Sequence, residues 1–305
     1  MNKQIIATID IGSNTVALLI VEIIKEHITV IQEIEFIVQL GQGLSKYNII
    51  NQKAIKRFQS AMYECSQLVV QNRCSSIYCV ATEAVRQAKN KDEIIKIGEA
   101  FGFNVNIISA QEEAGLVLYS ILKEFPIKIN TQIIFDIGGG STEIIHNKNH
   151  NNNNIISHKI GTISLYEKFF LHDPPLLSEL KQYKMYVNNA LDSFPISINN
   201  TTQIIGVGGT VTSVSALVNK INPYSYKLIH KSTLSYNHII DLYNVYKKFN
   251  INKRESLPGL HPLRAKVIFS GLFLLLLIME YYNIKEISVC DRGLRWGLLW
   301  KKIEY

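Results

Sequence analysis

The hydrophobic positions of this chain fall into two series that share one order. In the first, strand-like apolar runs cover 4–10, 15–24 and 28–38, and a helical pattern covers about 51–71. A strand at 76–82 then leads into helices near 83–90 and 91–101 and a strand at 104–108. Ala110 to Phe125 sets Ala114, Val117, Leu118, Ile121 and Leu122 at spacings of three and four, which predicts an amphipathic helix ended by Pro126. The second series restarts with strands at 132–137, 142–146 and 155–160, helices at about 162–170 and 176–193, and a strand at 203–207 followed by a helix. A βββαβα order met twice predicts an α/β fold with mixed sheets. The expected domains are 1–125 and 126–293, with an amphipathic helix at 294–305 crossing back onto the first.

The joint between the first two strands of each series carries chemistry. Asp10-Ile11-Gly12-Ser13-Asn14-Thr15 and Asp136-Ile137-Gly138-Gly139-Gly140-Ser141-Thr142 each place an Asp at a strand end and hydroxyls on a glycine turn. Glycine lets successive N–H groups converge on an anion, the hydroxyls add donors, and the Asp can hold a hard cation that neutralises phosphoryl oxygens. One such turn is equally well a plain hairpin; two in matching context predict duplicated lobes that each offer a phosphate loop to a shared cleft. A third glycine turn, Gly208-Gly209-Thr210, follows a strand and opens a helix, whose N-terminal N–H groups favour an anion. The polar tract from Asn147 to Asn154 has nothing apolar to bury and is expected to be a mobile hairpin tip without a site.

With 305 residues and 47% apolar content, the chain has room for two domains with their own cores. Its start has no basic, apolar and small-residue leader, so a cytoplasmic location is expected. The longest apolar stretch, Val267 to Met279, is too short to span a bilayer and predicts a buried helix, with no membrane partner. Cys65, Cys74, Cys79 and Cys290 form no C-x-x-C pair and are expected to be reduced, buried thiols, and the eight His lack metal-ligand spacing. The net charge of +7 suits a polyanionic ligand, although Lys, Asn and Ile are abundant throughout, as A+T-rich coding would also produce. No compact basic run is interleaved with aromatics, so nucleic acid is not an expected partner.

Two further segments add candidates. Ser109-Ala110-Gln111-Glu112 has the capping-box pattern, which assigns Glu112 to the Ser109 N–H and leaves the neighbouring Glu113 to activate a water. In Ala81 to Asn90, Thr82 is placed as an N-cap and Arg86 one turn in, where its planar fork suits phosphate oxygens.

Taken in order, Asp10 to Thr15, Gly41-Gln42-Gly43-Leu44, Ala81 to Asn90, Ile108 to Ala114, Asp136 to Glu143, Gly208 to Thr210, Leu257 to Ala265 and Asp291 to Gly297 resemble one family. It is the exopolyphosphatase and guanosine pentaphosphate phosphohydrolase (Ppx/GppA) family, a branch of the actin, hexokinase and heat-shock ATPase superfamily. The resemblance implies two duplicated actin-like, ribonuclease H-like lobes around an interdomain cleft. It implies that Glu113 is the catalytic base and that Asp136 and Glu143, with Asp10 a further candidate, organise Mg2+. Gly12, Ser13, Asn14, Thr15, Arg86, Gly138, Gly139, Gly140, Ser141, Thr142, Gly208, Gly209 and Thr210 would then cradle phosphates. The implied reaction is in-line attack of a Glu113-activated water on a terminal phosphoryl group.

The implied substrate is inorganic polyphosphate, with guanosine pentaphosphate as the alternative. Gln39, Lys266, Arg292 and Trp296 depart from the family pattern, which bears on substrate preference. With nothing after Tyr305, the chain resembles the short two-lobe members, and a homodimer is an open expectation because two clefts could align into a longer track. An actin-like-superfamily kinase would need an acceptor pocket and a base site, and the Ser109 to Ala114 segment argues against it. A non-catalytic phosphate or nucleotide binder is disfavoured by Glu113, Asp136, Glu143 and Arg86 occurring together.

Overall fold

The computed structural model describes residues 3–125, 131–148, 152–199 and 201–304. Pro126 as a helix stop, Met1-Asn2 ahead of the first strand, and Asn149, His150 and Asn151 of the polar tract lie outside the described residues. The chain divides into two compact units, Met1–Ser120 with Gly293–Tyr305, and Ile121–Arg292.

The first unit is built on five strands, β1 (Lys3–Ile11), β2 (Thr15–Ile24), β3 (His27–Ile37), β4 (Ser76–Ala81) and β5 (Val105–Ile107), in the order β3-β2-β1-β4-β5. The β1-β2 and β2-β3 pairs are antiparallel, whereas β4 joins β1 in parallel. That parallel step needs a long crossover, supplied by the helix Gln52–Gln71. Ala7, Ile9 and Ile11 pack with Ile55, Phe58 and Met62 of this helix on one face of the sheet. On the other face Ile6, Leu19 and Val21 pack with Trp296 and Leu299 of the C-terminal helix Leu294–Ile303. Burial on both faces explains why β1 and β2 read as continuous apolar runs and not as alternating strands.

The C-terminal helix is fastened by buried charge as well as by packing. Arg295 Nη2 lies 2.8 Å from Glu33 Oε1 and Nη1 lies 3.1 Å from Glu35 Oε1, while Trp296 Nε1 donates to Glu33 Oε1 at 3.1 Å. Thr8 Oγ1 donates to the Arg295 carbonyl at 3.0 Å. Trp296, a departure from the family pattern, thus belongs to this fastening.

The second unit repeats the plan. Its strands are β6 (Thr131–Ile137), β7 (Thr142–Lys148), β8 (Asn152–His158), β9 (Thr202–Val207), β10 (Thr233–Ser235) and β11 (Glu286–Cys290), in the order β10-β11-β9-β6-β7-β8. Again the first three pair antiparallel and the fourth joins the first in parallel. The hydrophobic pattern did not separate β10, β11 or the helices Tyr236–Tyr246 and Ile251–Glu255. The polar tract needs correction too: β7 and β8 run into it, and buried Asn147 donates to Gln132 Oε1 at 3.2 Å. The facing Gln132 amide satisfies the Asn147 nitrogen, while Asn147 Oδ1 is buried without a hydrogen-bond partner.

The apolar helix is longer than Val267 to Met279. Pro262–Tyr281 has 20 residues and contains an 18-residue window of mean hydropathy 1.9, long and apolar enough by length and composition to cross a membrane. Yet 78% of its most apolar window is buried inside the unit, and Tyr183 Oη donates to the Ser270 carbonyl at 2.7 Å. It is the core helix of the second unit. The four cysteines are free; Cys65, Cys79 and Cys290 are buried and Cys74 is half-buried.

Glu124, at the end of the helix Ala110–Glu124, is surrounded by two cations and a histidine. Arg292 Nη1 stands 2.6 Å away, His230 Nε2 3.1 Å and Lys231 Nζ 3.7 Å. Burial works to raise its carboxyl, but the hydrogen bonds from His230 and Arg292 outweigh this and hold it at about 2. Arg292, another departure from the family pattern, is therefore a structural counter-ion.

Two stability predictions follow from these contacts. A Cβ on Gly297 would stand 1.9 Å from the Leu116 carbonyl oxygen, a backbone atom that cannot step aside. Gly297→Ala is expected to cost about 3 kcal/mol, read as a lowered urea midpoint. The Glu124 carboxyl sits below its ordinary 4.5, so its contribution is complete above about pH 4.5 and is lost as pH falls toward 2. Glu124→Gln should be less stable than wild type by about 2 kcal/mol at pH 7, and denaturant titrations at successive pH values should show the gap closing below pH 4.5.

Candidate active site

In the first unit the turn after β1 closes on itself, Gly12 N donating to the Thr15 carbonyl at 2.8 Å. A neighbouring loop braces it. Gly41 N donates to the Ser13 carbonyl at 2.8 Å, and Val38 N and Gln39 N both donate to the Asn14 carbonyl at 2.9 Å. Gln39 adopts φ +53°, so the departure at this position sits at a left-handed bend against the turn. Asp10 Oδ1 and Asn14 Oδ1 are buried and meet no hydrogen-bond donor. Burial pushes the Asp10 carboxyl up to about 7; Arg295 pulls it back and Glu35 adds to the rise.

Arg86 and Glu113, picked from separate segments, come together. Arg86 lies on the short helix Glu83–Gln87 and Glu113 in the first turn of Ala110–Glu124. Arg86 Nη1 donates to the Ile108 carbonyl at 2.7 Å and to Glu113 Oε2 at 3.2 Å. Glu113 is thus engaged with a guanidinium, beyond what its place outside the capping box implied. Burial opposes the Arg86 charge, but Glu113 and Glu83 outweigh it and raise its pKa further. Glu112 does cap: its Oε2 accepts from Ser109 N at 2.8 Å, and its own N–H donates to Ser109 Oγ at 3.2 Å. The bonds from the Ser109 N–H and hydroxyl to its carboxylate hold that carboxyl below the ordinary range. Thr82 occupies the N-cap position without capping, since its hydroxyl turns back to the Ile11 carbonyl at 3.4 Å.

The turn of the second unit closes in the same way, Gly138 N donating to the Ser141 carbonyl at 3.0 Å. Its brace is the helix Thr162–Phe169, whose Thr162 N and Ile163 N donate to the Gly138 and Gly139 carbonyls at 3.0 and 2.8 Å. Asp136 and Glu143 are directly paired across β6 and β7, which puts both carboxylates on one face of the sheet. Glu143 is buried and accepts from Ser157 Oγ at 2.6 Å. Gly208, at φ +91°, leaves no room for a side chain: a Cβ would stand 2.7 Å from Asp136 Oδ1 and 2.8 Å from the Ile137 carbonyl oxygen. This glycine lets the third turn lie against the strand-end Asp. The helix begins at Gly208 itself, so Gly209 and Thr210 form its first turn. One donor is corrected: Thr142 Oγ1 is committed to the Ile160 carbonyl at 2.7 Å inside the fold, leaving Thr142 a structural part in the turn.

Two residues escaped the sequence reading. Glu83 is buried and its carboxylate takes Arg86 Nη2 and Gln87 Nε2. Its i,i+3 spacing from Arg86 was the available signal. Arg264 donates through Nη1 to the Gly209 carbonyl at 2.8 Å and to Ser213 Oγ at 3.1 Å. Nothing local to Arg264 points to that helix; only folding brings the two together. Lys266, the remaining departure, holds its ammonium 5.3 Å from the centre of the Tyr166 ring.

The donor sets fit a hard cation that keeps water and phosphate ligands. Among the described residues no group of three or more His, Cys, Asp or Glu converges into a cage. The second unit pairs Asp136 with Glu143, and the first leaves Asp10 Oδ1 and Asn14 Oδ1 without donors. Mg2+ is commonly held in that way, by one or two carboxylates plus substrate phosphates.

Two ribonuclease H-like sheets, each with a closed glycine turn and an Asp at the end of its first strand, define an actin-like fold. The chain belongs to the Ppx/GppA phosphatase family, whose pattern it matches over residues 19–305. It is 32% identical to a bifunctional 3-dehydroquinate synthase/phosphatase of Fusobacterium nucleatum over 99% of this chain, while spanning 47% of that protein. It is 28% identical to exopolyphosphatase 2 of Mycobacterium tuberculosis, over 87% of each chain. The crystal structure of the Aquifex aeolicus Ppx/GppA family member superposes with a TM-score of 0.82 at 28% identity, over 99% of this chain and 98% of that one.

Gly161 supports the second turn from behind, and a Cβ there would stand 2.3 Å from the Gly139 carbonyl oxygen. Gly161→Ala is expected to displace the turn and weaken tripolyphosphate binding roughly tenfold in calorimetric titration. Gly115→Ala, whose Cβ enters open space on a helix, should bind like wild type.

Proposed function

We propose that this protein is a Mg2+-dependent phosphohydrolase that releases the terminal phosphate of inorganic polyphosphate. The observation that carries the reading is the placement of Glu113 at 3.2 Å from Arg86, a carboxylate base beside a phosphate-binding guanidinium, in a chain of the Ppx/GppA phosphatase family. In this reading Glu113 takes the proton of the attacking water. Arg86, the turns Gly12 to Thr15 and Gly138 to Ser141, and the helix start at Gly208 to Thr210 bind phosphoryl oxygens. Asp136 and Glu143 would hold Mg2+, with Asp10 as a further ligand, and the ion would neutralise charge on those oxygens.

Guanosine pentaphosphate is the second reading. It is supported by a 26% identical relative in Aliivibrio fischeri named guanosine-5'-triphosphate,3'-diphosphate pyrophosphatase, 59% of which the match spans. Both substrates present a terminal phosphoanhydride to the same groups. Free cysteines support a reducing compartment, and we place the protein in the cytoplasm.

Phosphate release is to be measured side by side from polyphosphates of several lengths, guanosine pentaphosphate and ATP, with Mg2+ and with chelator. The reading expects polyphosphate to give the highest kcat/KM and chelator to abolish release; preference for guanosine pentaphosphate selects the second reading. Glu113→Gln should lower kcat by about 10²-fold, because the amide cannot accept the proton. Glu112→Gln should stay within about threefold of wild type, since Gln also completes a capping box. A larger loss at Glu112 would reverse the two roles.

A further inference from the structure

A buried carboxylate, Glu83, shares Arg86 with the candidate base, and the function proposed above gives it no work. Glu83 follows directly on β4 and the Thr82 link, and it is 8% exposed. Its two oxygens are divided: Oε2 takes Arg86 Nη2, and Oε1 takes Gln87 Nε2. Gln87, one helical turn on, therefore restrains Glu83 while Glu83 restrains Arg86.

The result is a guanidinium held from two sides. Nη2 is on Glu83, and Nη1 is shared between the Ile108 carbonyl at 2.7 Å and Glu113 Oε2 at 3.2 Å. Charge-assisted N–H···O bonds usually measure about 2.7–2.9 Å, and an unrestrained Arg prefers to meet a carboxylate with two parallel bonds. Arg86 does neither with Glu113: it reaches that carboxylate through Nη1 alone, and at the longer distance. Its Nε meets no acceptor among the described residues, which leaves that edge for a ligand oxygen.

We propose that Glu83 is a positioning residue that fixes the Arg86 fork for phosphoryl oxygens and keeps it from closing on Glu113 as a two-bonded ion pair. The proposal rests on the reading of Arg86 as a phosphate ligand and Glu113 as the base. A full Arg86–Glu113 pair would satisfy the base and the phosphate ligand with each other, and both would have to be separated before water could be activated. Dividing Arg86 between two carboxylates removes that competition. Glu83 acts only through Arg86, and this sets the test.

The test is a double-mutant cycle of Glu83→Gln and Arg86→Ala on full-length protein, with polyphosphate turnover, urea unfolding and side-chain 15N NMR of labelled arginine measured for each variant. Glu83→Gln is expected to lower kcat roughly tenfold without raising KM, because the amide holds Arg86 less firmly while the added net positive charge does not repel the substrate. In the Arg86→Ala background the same change should alter kcat by less than about twofold. The Arg86 guanidinium, assigned by its loss in Arg86→Ala, should show resonances in Glu83→Gln shifted from those of wild type, as the released fork turns onto Glu113. Losses that multiply, a wild-type kcat in Glu83→Gln, or unchanged Arg86 resonances would each overturn the proposal. A lower kcat accompanied by raised KM and a lowered urea midpoint would also overturn it, showing a merely structural Glu83. If wild type releases no phosphate from polyphosphate, the proposed function fails, and the Arg86 resonances alone decide whether Glu83 holds the fork.

Discussion

The candidate chemistry of this chain hangs on one backbone closure made twice: Gly12 N to the Thr15 carbonyl and Gly138 N to the Ser141 carbonyl, at 2.8 and 3.0 Å. Each closure reverses the chain between antiparallel strands within a few residues. A strand-end Asp is thereby kept next to the glycine turn. The strands can hold this arrangement because they are buried on both sides, so neither can slip without moving its whole apolar set. What braces each turn differs. A loop with a left-handed Gln39 supports the first, and the N-terminus of Thr162–Phe169 supports the second. The two lobes have kept the turn and exchanged its support.

The sheet register shows a second divergence. Asp136 faces Glu143 on β7, whereas Asp10 faces Ala17 on β2, and the acidic residue of that row stands one strand further out, at Glu35. Asp10 is left with a buried oxygen that no donor meets, while Glu143 is satisfied by Ser157. Elsewhere buried charges are matched: Arg295 by Glu33 and Glu35, Glu124 by Arg292 and His230, and Arg254 by Asp173. The Asp10 oxygen that no donor meets stands out among these matched charges.

The departures from the family pattern acquire different meanings from one another. Trp296 and Arg292 fasten secondary structure, the first through Glu33 and the second through Glu124. Gln39 shapes the brace of the first turn, and Lys266 lies over an aromatic ring. Two of the four are explained by stability, which a motif comparison had attributed to substrate choice.

Much was decided within short windows of sequence. Strand periodicity, the two Asp-glycine turns and the Ser109–Glu112 cap depend on neighbours a few residues away, so β1, β2, β6 and β7 and their turns were legible directly. The last third was less so: β11 is a short run between a helix and a turn, and its strand character comes from pairing with β9 and β10. Three roles escape a local reading because they depend, wholly or in part, on residues distant along the chain. Glu83 reads as an ordinary helix-start acid until Arg86, held also by Glu113 and Ile108, is seen to need a second anchor. Arg264 reads as a surface cation until folding sets it on the Gly209 carbonyl, and Thr142 reads as a phosphate donor until the Ile160 carbonyl claims its hydroxyl. The sequence by itself determined the elements, the turns and the family, since these follow from local propensity and burial pattern. Tertiary structure alone decided which charged and hydroxyl groups are already satisfied, because that depends on partners the chain brings close only when it folds.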